Sequence, residues 1–146
     1  NGGLNSTMVT SRNWRGTEDD TEQVFITNIK CKTPTRAVAI RSNDTASINN
    51  VYINGVFYDG PNNTFLVGGK GYGAPTLPGR INNIHAMNFI GNGRSLVLIE
   101  EELGKCTFIN GIYKGKNDKM IIYNIDKDIS ENIITSNLIK INDNIK

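Results

Sequence analysis

Apolar and polar positions alternate in a short phrase that recurs five times along the chain. The phrase runs apolar, any, apolar or small, any, then Asn or once Gly. Its copies are Val24-x-Ile26-x-Asn28, Val51-x-Ile53-x-Gly55, Ile84-x-Ala86-x-Asn88, Cys106-x-Phe108-x-Asn110 and Ile133-x-Thr135-x-Asn137. A further apolar residue follows each copy: Ile29, Val56, Phe89, Ile112 and Leu138. The anchors are separated by steps of 27, 33, 22 and 27 residues. A fixed phrase at a loosely fixed period is how a solenoid is written in sequence. The period of two inside the phrase predicts a strand with one buried face. Stacked coils bring equivalent positions over one another about every 4.8 Å. Asn carboxamides could then donate and accept up the column, which would satisfy polar groups at a buried corner.

A second apolar run follows each phrase, at residues 37–40, 65–67, 96–99 and 120–123, and residues 8–10 form a similar run upstream of the first phrase. Turn residues lie between the runs: Ser42-Asn-Asp, Asp59-Gly-Pro-Asn-Asn63, Gly91-Asn-Gly93 and Lys116-Asn-Asp118. Asn, Asp and Gly tolerate left-handed backbone and bond locally, so these are loop signals with a mechanism. The expected fold is all-β: a single-stranded, right-handed parallel β-helix of about 4–5 coils, its hand resting on the preference of parallel crossovers. Asn28, Asn88, Asn110 and Asn137 should meet near one corner. Helix should be close to absent, since no segment combines a 3.6-residue period with caps.

At 146 residues, one domain is expected over residues 1–146, with 126–146 as the last coil and a tail. The first residue is Asn, and residues 1–7 make an unconvincing cap for a solenoid end. The chain therefore reads as a piece of a longer β-helix. The net charge of +2 leaves no electrostatic footprint for nucleic acid. No apolar stretch reaches the roughly 20 residues of a membrane helix. Cys31 and Cys106 fall three coils apart, about 14 Å at the spacing of stacked strands and beyond disulfide reach of about 7 Å. Both read as small buried hydrophobes. With two Cys and one His there is no zinc pattern, and neither metal nor cofactor is expected.

Aligning the second strands on their last apolar residue places Thr10, Arg41, Gly68, Glu100 and Asn124 in one exposed column. Ser42 and Glu101 come next, then Arg12, Asn43, Lys70 and Glu102. Such a strip of cations, amides and carboxylates suits a polyhydroxylated ligand, whose hydroxyls both donate and accept. A solvated flank is the ordinary alternative. The Gly-rich stretch 68–79 carries Lys70 and Tyr72 but lacks the spacing of a phosphate loop. Tyr72 could stack on a sugar, or the stretch could be a length-tolerant insertion. Trp14 stands beside Arg12 and Arg15, just before the acidic run Glu18-Asp19-Asp20-Thr21-Glu22 in the expected turn. Glycosidic cleavage needs two carboxylates about 5–10 Å apart. Asp19 or Asp20 facing Asp44, and Glu100, are the candidates. His85 alternates with Ile84 and Ala86 and should point outward without a catalytic role.

By its repeat and its Asn phrase the whole chain resembles the pectin-lyase-like right-handed parallel β-helix superfamily. Within it, Ala37-Val-Ala-Ile-Arg-Ser42 resembles the strand of polygalacturonase-type glycoside hydrolases that normally follows an Asp-Asp pair. Here Thr35-Arg36 precedes it, Asn62-Asn63-Thr64 stands where Gly-His-Gly is expected, and the Arg-x-Lys element appears only as Gly93-Arg94-Ser95. The scaffold of that family is matched and its catalytic set is not, so no catalytic residue carries over. The Asn-rich β-helix also resembles tailspike and appendage proteins of phages that infect Gram-positive bacteria. That resemblance implies a virion or extracellular location, a homotrimer, and a cell-surface polysaccharide or teichoic acid as ligand. Arg12, Arg41, Lys70 and Arg80 would suit the phosphates of a teichoic acid.

The expectation is thus a glycan-recognising β-helix with Arg12, Trp14, Arg41, Lys70 and Tyr72 as binding residues. The alternatives are a glycoside hydrolase or lyase using Asp19, Asp20, Asp44 or Glu100, and a purely structural segment.

Overall fold

The computed structural model describes residues 5–14, 17–32, 35–43, 46–68 and 80–141. Before residue 20, and at Asn43, it describes backbone alone, Thr7 and Val9 excepted. Eleven strands are joined without an α-helix among the described residues. They are β1 (Asn5–Trp14), β2 (Thr17–Asp19), β3 (Thr21–Cys31), β4 (Arg36–Asn43), β5 (Ile48–Tyr58), β6 (Asn63–Val67), β7 (Ile81–Gly91), β8 (Ser95–Ile99), β9 (Cys106–Tyr113), β10 (Ile121–Tyr123) and β11 (Ile133–Lys140). A single 3₁₀ turn, Ser130–Asn132, precedes β11.

From β3 onward the chain alternates between two sheets. One sheet runs β10-β8-β6-β4-β1-β2 and the other β11-β9-β7-β5-β3. Every pairing is parallel except β1 with β2. This all-β, parallel architecture is compatible with a β-helix. The five phrases occupy β3, β5, β7, β9 and β11 in strict register: Val24↔Val51↔Ile84↔Cys106↔Ile133. The second apolar runs occupy β4, β6, β8 and β10, with Ile40↔Val67↔Ile99↔Tyr123 aligned. Residues 8–10 lie in β1 beside β4, one layer upstream, as their pattern implied.

Each phrase strand is bent, and the bend explains its Asn. Asn28, Asn88, Asn110 and Asn137 have φ between 52° and 56°, and Gly55 has φ 78°. An L-residue loses about 1–2 kcal/mol in this left-handed conformation, less when a short polar side chain bonds locally. Asn and Gly are therefore the residues that let the ladder turn a corner and continue. A second left-handed column, Gln23, Asn50 and Asn83, bends the first three phrase strands near their start.

The carboxamide ladder exists as expected, but it faces solvent. Asn137 Nδ2 donates to Asn110 Oδ1 at 3.1 Å, Asn110 Nδ2 to Asn88 Oδ1 at 3.2 Å, and Asn88 Nδ2 to Asn54 Oδ1 at 2.8 Å. Asn54 supplies the rung that Gly55 lacks. Buried corner groups are thus not what the ladder satisfies; the backbone conformation is what selects Asn.

Between the sheets, inward side chains form one core. Phe65 of β6 meets Phe89 of β7 edge to face at 5.0 Å and lies 6.0 Å from Phe108 of β9. Ile26, Ile53, Ala86 and Phe108 share one buried column. At its centre the first sheet is buried on both faces, because Ala39, Leu66 and Leu98 form a separate buried cluster against which the partly buried Ile122 packs. That double burial is why β6 and β8 read as continuous apolar runs instead of alternating.

The turns between sheets are stacked by tyrosine. Tyr58 and Tyr113 share a register column with Gly91 between them. A side chain at Gly91 would collide with Thr64, so the column alternates ring, gap, ring. Tyr58 OH donates to Thr35 O at 2.8 Å and accepts from Asn62 N at 3.1 Å. The single Tyr113 O–H proton is shared between Gly93 O and Arg94 O, at 3.0 and 2.9 Å, and the oxygen accepts from Asn117 N at 3.1 Å. Each phenol therefore pins its own turn to the turn one layer back.

The acidic run differs from expectation. Thr17, Glu18 and Asp19 are not a turn: they form β2, which pairs antiparallel with β1, Arg12 opposite Asp19 and Trp14 opposite Thr17. Cys31 and Cys106 form no disulfide, as expected, but Cys31 is half-buried and not a core residue. Cys106 is fully buried, and burial pushes its thiol up to about 12.

Candidate functional site: a groove along the asparagine corner

The outward face of the β3-β5-β7-β9-β11 sheet is built from columns of side chains in register from layer to layer. Before the corner stand Phe25, Tyr52, His85, Thr107 and Ile134. The first three rings stack, with centroids 5.2 Å and 5.3 Å apart and interplanar angles of 15° and 12°. His85 points outward, as the alternation implied, and completes this stack. Next comes the Asn column at the corner. Beyond it lie Lys30, Phe57, Ile90, Ile112 and Ile139.

The corner and the last column enclose a shallow groove. One stretch, of about 490 Å³, is lined by Asn88, Ile90, Asn110, Ile112, Asn137 and Ile139 with Phe89 at its floor. A second stretch, of about 320 Å³, is lined by Asn28, Lys30, Gly55, Phe57, Asn88 and Ile90, with Ile29 and Val56 beneath. Asn88 and Ile90 belong to both, so the two are continuous across the strands. The apolar wall is open to solvent: Phe57 is 41% exposed and Ile139 56%. Lys30 lies over Phe57 at 5.9 Å and is the one charged side chain lining the groove among the described residues.

Chemically, the groove is suited to binding. One wall offers carboxamides that donate and accept at every layer, which matches ligands rich in hydroxyls. The other offers aliphatic and aromatic surface for C–H faces. No carboxylate lines it among the described residues, so bond cleavage has no acid–base pair there. No cluster of His, Cys, Asp and Glu suited to a metal ion occurs among the described residues.

Of the candidate site residues singled out from sequence, none with a described side chain lines this groove. Asp44, Lys70 and Tyr72 fall outside the described residues, and of Arg12, Trp14 and Asp19 only the backbone, in the β1–β2 hairpin, is described. Arg41, Gly68 and Glu100 do share one column, since Gly68 N bonds Ile40 O and Glu100 N bonds Val67 O, each at 2.9 Å. The column is not an open face, however: Arg41 is only 7% exposed and Glu100 is half-buried. Apolar neighbours on both faces of that sheet account for the difference. Asp20 is exposed, and its carboxylate accepts from Ser47 N at 2.7 Å. Arg80 Nη1 donates to Ser47 Oγ at 3.2 Å. Asp20 and Arg80 thus hold the corner where the chain re-enters the phrase sheet.

Sequence reasoning passed over the groove although its signal is present. Lys30, Phe57, Ile90, Ile112 and Ile139 all stand two residues after the corner position. Without the corner geometry, that offset looks like the end of an ordinary amphipathic strand.

Compared with family models, with curated proteins and with solved structures, the chain matches none.

Proposed function

We propose that the chain forms a right-handed parallel β-helix of the pectin-lyase-like kind. In this reading it recognises a bacterial surface polysaccharide or teichoic acid as part of a homotrimeric phage tailspike or appendage. The alternation of strands between two in-register parallel sheets supports the solenoid, and the preference of parallel crossovers supports its hand. One observation carries the recognition role. A continuous exterior groove has a carboxamide ladder on one wall and an apolar strip on the other, both repeated layer by layer. A glycan chain presents the same two faces, hydroxyl edges and C–H surfaces, repeated along its length.

The test is adsorption of the purified chain to Gram-positive cell walls and to their extracted polymers. Replacing Asn88 and Asn110 together by Gly removes two carboxamides and keeps residues suited to the left-handed backbone. Adsorption should weaken tenfold or more, about 1.4 kcal/mol. A folded double variant that adsorbs as well as the parent, or a parent that does not adsorb, would overturn the reading. Release of reducing ends or glycerol phosphate during the assay would instead favour a depolymerase that uses carboxylates away from the groove.

A further inference from the structure

Two residues beyond Ile90, the same strand end leads from the groove into a second pocket of different chemistry. It measures about 400 Å³ and is lined by Pro61, Asn92, Gly93, Arg94, Lys116 and Asn117. Three successive turns build it, at residues 59–62, 92–94 and 114–118. The Tyr113 phenol ties the second and third together, since it holds the carbonyls of Gly93 and Arg94 and the N–H of Asn117. Asn117 Nδ2 adds a bond to Arg94 O at 3.2 Å, and Arg94 N bonds Asn62 O at 2.8 Å. The backbone of the pocket is therefore fixed before any ligand arrives.

The two charged side chains of its lining, Arg94 and Lys116, are both cations. Both carboxylates of these turns already have partners, Asp59 through Asn92 of the pocket wall itself. Asp59 accepts from Asn92 Nδ2 at 2.6 Å and pairs with Lys32 at 3.5 Å, and these contacts hold its carboxyl below the usual range. Asp118 pairs with Lys140 at 3.0 Å. Arg94 and Lys116 are exposed and form no ion pair with the described residues. An exposed guanidinium and an exposed ammonium that line one pocket suit an oxyanion.

We propose that this turn pocket is an anion subsite, in which Arg94 and Lys116 bind a phosphodiester or carboxylate carried by the polymer whose neutral part lies in the adjoining groove. The proposal rests on the glycan reading above for its polymer, and on the pocket alone for its charge. Asn92 and Asn117, at the pocket wall, position the turns. Arg94 supplies paired N–H donors to two oxygens, and Lys116 supplies a mobile point charge.

The experiment uses the full chain and three probes at low and physiological salt: a glycerol-phosphate oligomer, an oligogalacturonate and neutral dextran oligomers. The variant Arg94→Gln with Lys116→Gln should bind the charged probes at least tenfold more weakly, with a shallower salt dependence, and bind dextran as the parent does. Lys105→Gln, an exposed lysine outside the pocket, should change nothing. Loss with the phosphate oligomer alone, or with the uronate alone, identifies which anion the pocket takes. Unchanged binding of both charged probes, or equal loss of the neutral one, overturns the subsite. If no glycan binds the parent, or if the groove variant loses nothing, the glycan reading fails. The subsite then stands only if the charged probes still depend on Arg94 and Lys116.

Discussion

At the scale of single residues, conformation outweighs hydrogen bonding at the corner. Asn88 carries two ladder contacts, but both are exposed and exchange readily with water. Its φ of 56° is not exchangeable. Asn88→Gly should therefore cost no more than about 0.5–1 kcal/mol. Asn88→Leu, which must pay for left-handed backbone, should cost about 1–2 kcal/mol. Equal denaturant midpoints for the two variants would return the explanation to the amide ladder. Tyr113 is the opposite case, a buried phenol whose oxygen both donates and accepts. Tyr113→Phe leaves the Asn117 N–H without its acceptor and removes the one proton shared by the Gly93 and Arg94 carbonyls. It should lower stability by about 1–3 kcal/mol, measured by the same denaturation. The Asn column was legible in sequence because it recurs; its cause was misjudged, because Asn serves both an amide ladder and left-handed backbone, and only Gly55 in the same column separates the two. Tyr58 and Tyr113 share a Tyr-x-Gly-x-Asn spacing, at 58–62 and 113–117, but only two copies occur and Gly91 interrupts the column.

At the scale of elements, strand pairing followed the apolar pattern because register in a parallel stack is set by which side chains can share a buried column. The phrase alternates where one face is wet, and β6 and β8 do not alternate because both faces are dry. The acidic run was misplaced for a related reason. Charge and short side chains mark a turn by composition, whereas the β1–β2 hairpin depends on pairing opposite Arg12, Asn13 and Trp14. Burial within β9 also fixes a pH response. The Cys106 thiol, pushed up to about 12, keeps its proton in the folded chain after an exposed thiol has lost it near its ordinary value of 9.0. The unfolded state then binds fewer protons, so stability falls as pH rises between about 9 and 12. Cys106→Ala should flatten that alkaline slope even though it lowers stability at neutral pH. An unchanged slope would show that other groups set it.

At the scale of the whole molecule, two surfaces with different chemistry meet at one edge of the fold. The groove along the Asn corner offers amides and hydrocarbon, and the turn pocket beside it offers cations. The sheet that sequence reasoning favoured, with Arg41 and Glu100 in one column, is covered on both faces at its centre. Composition alone could not separate these surfaces, because burial depends on what packs from outside a strand. The most direct measurement is a backbone amide NMR titration of the chain with purified Gram-positive wall polysaccharide. Shift changes should run along Asn28, Asn88, Ile90, Asn110, Ile112 and Asn137 and leave Arg41 and Glu100 unmoved. Changes centred on Arg41 and Glu100, or none at saturating polysaccharide, would contradict the account.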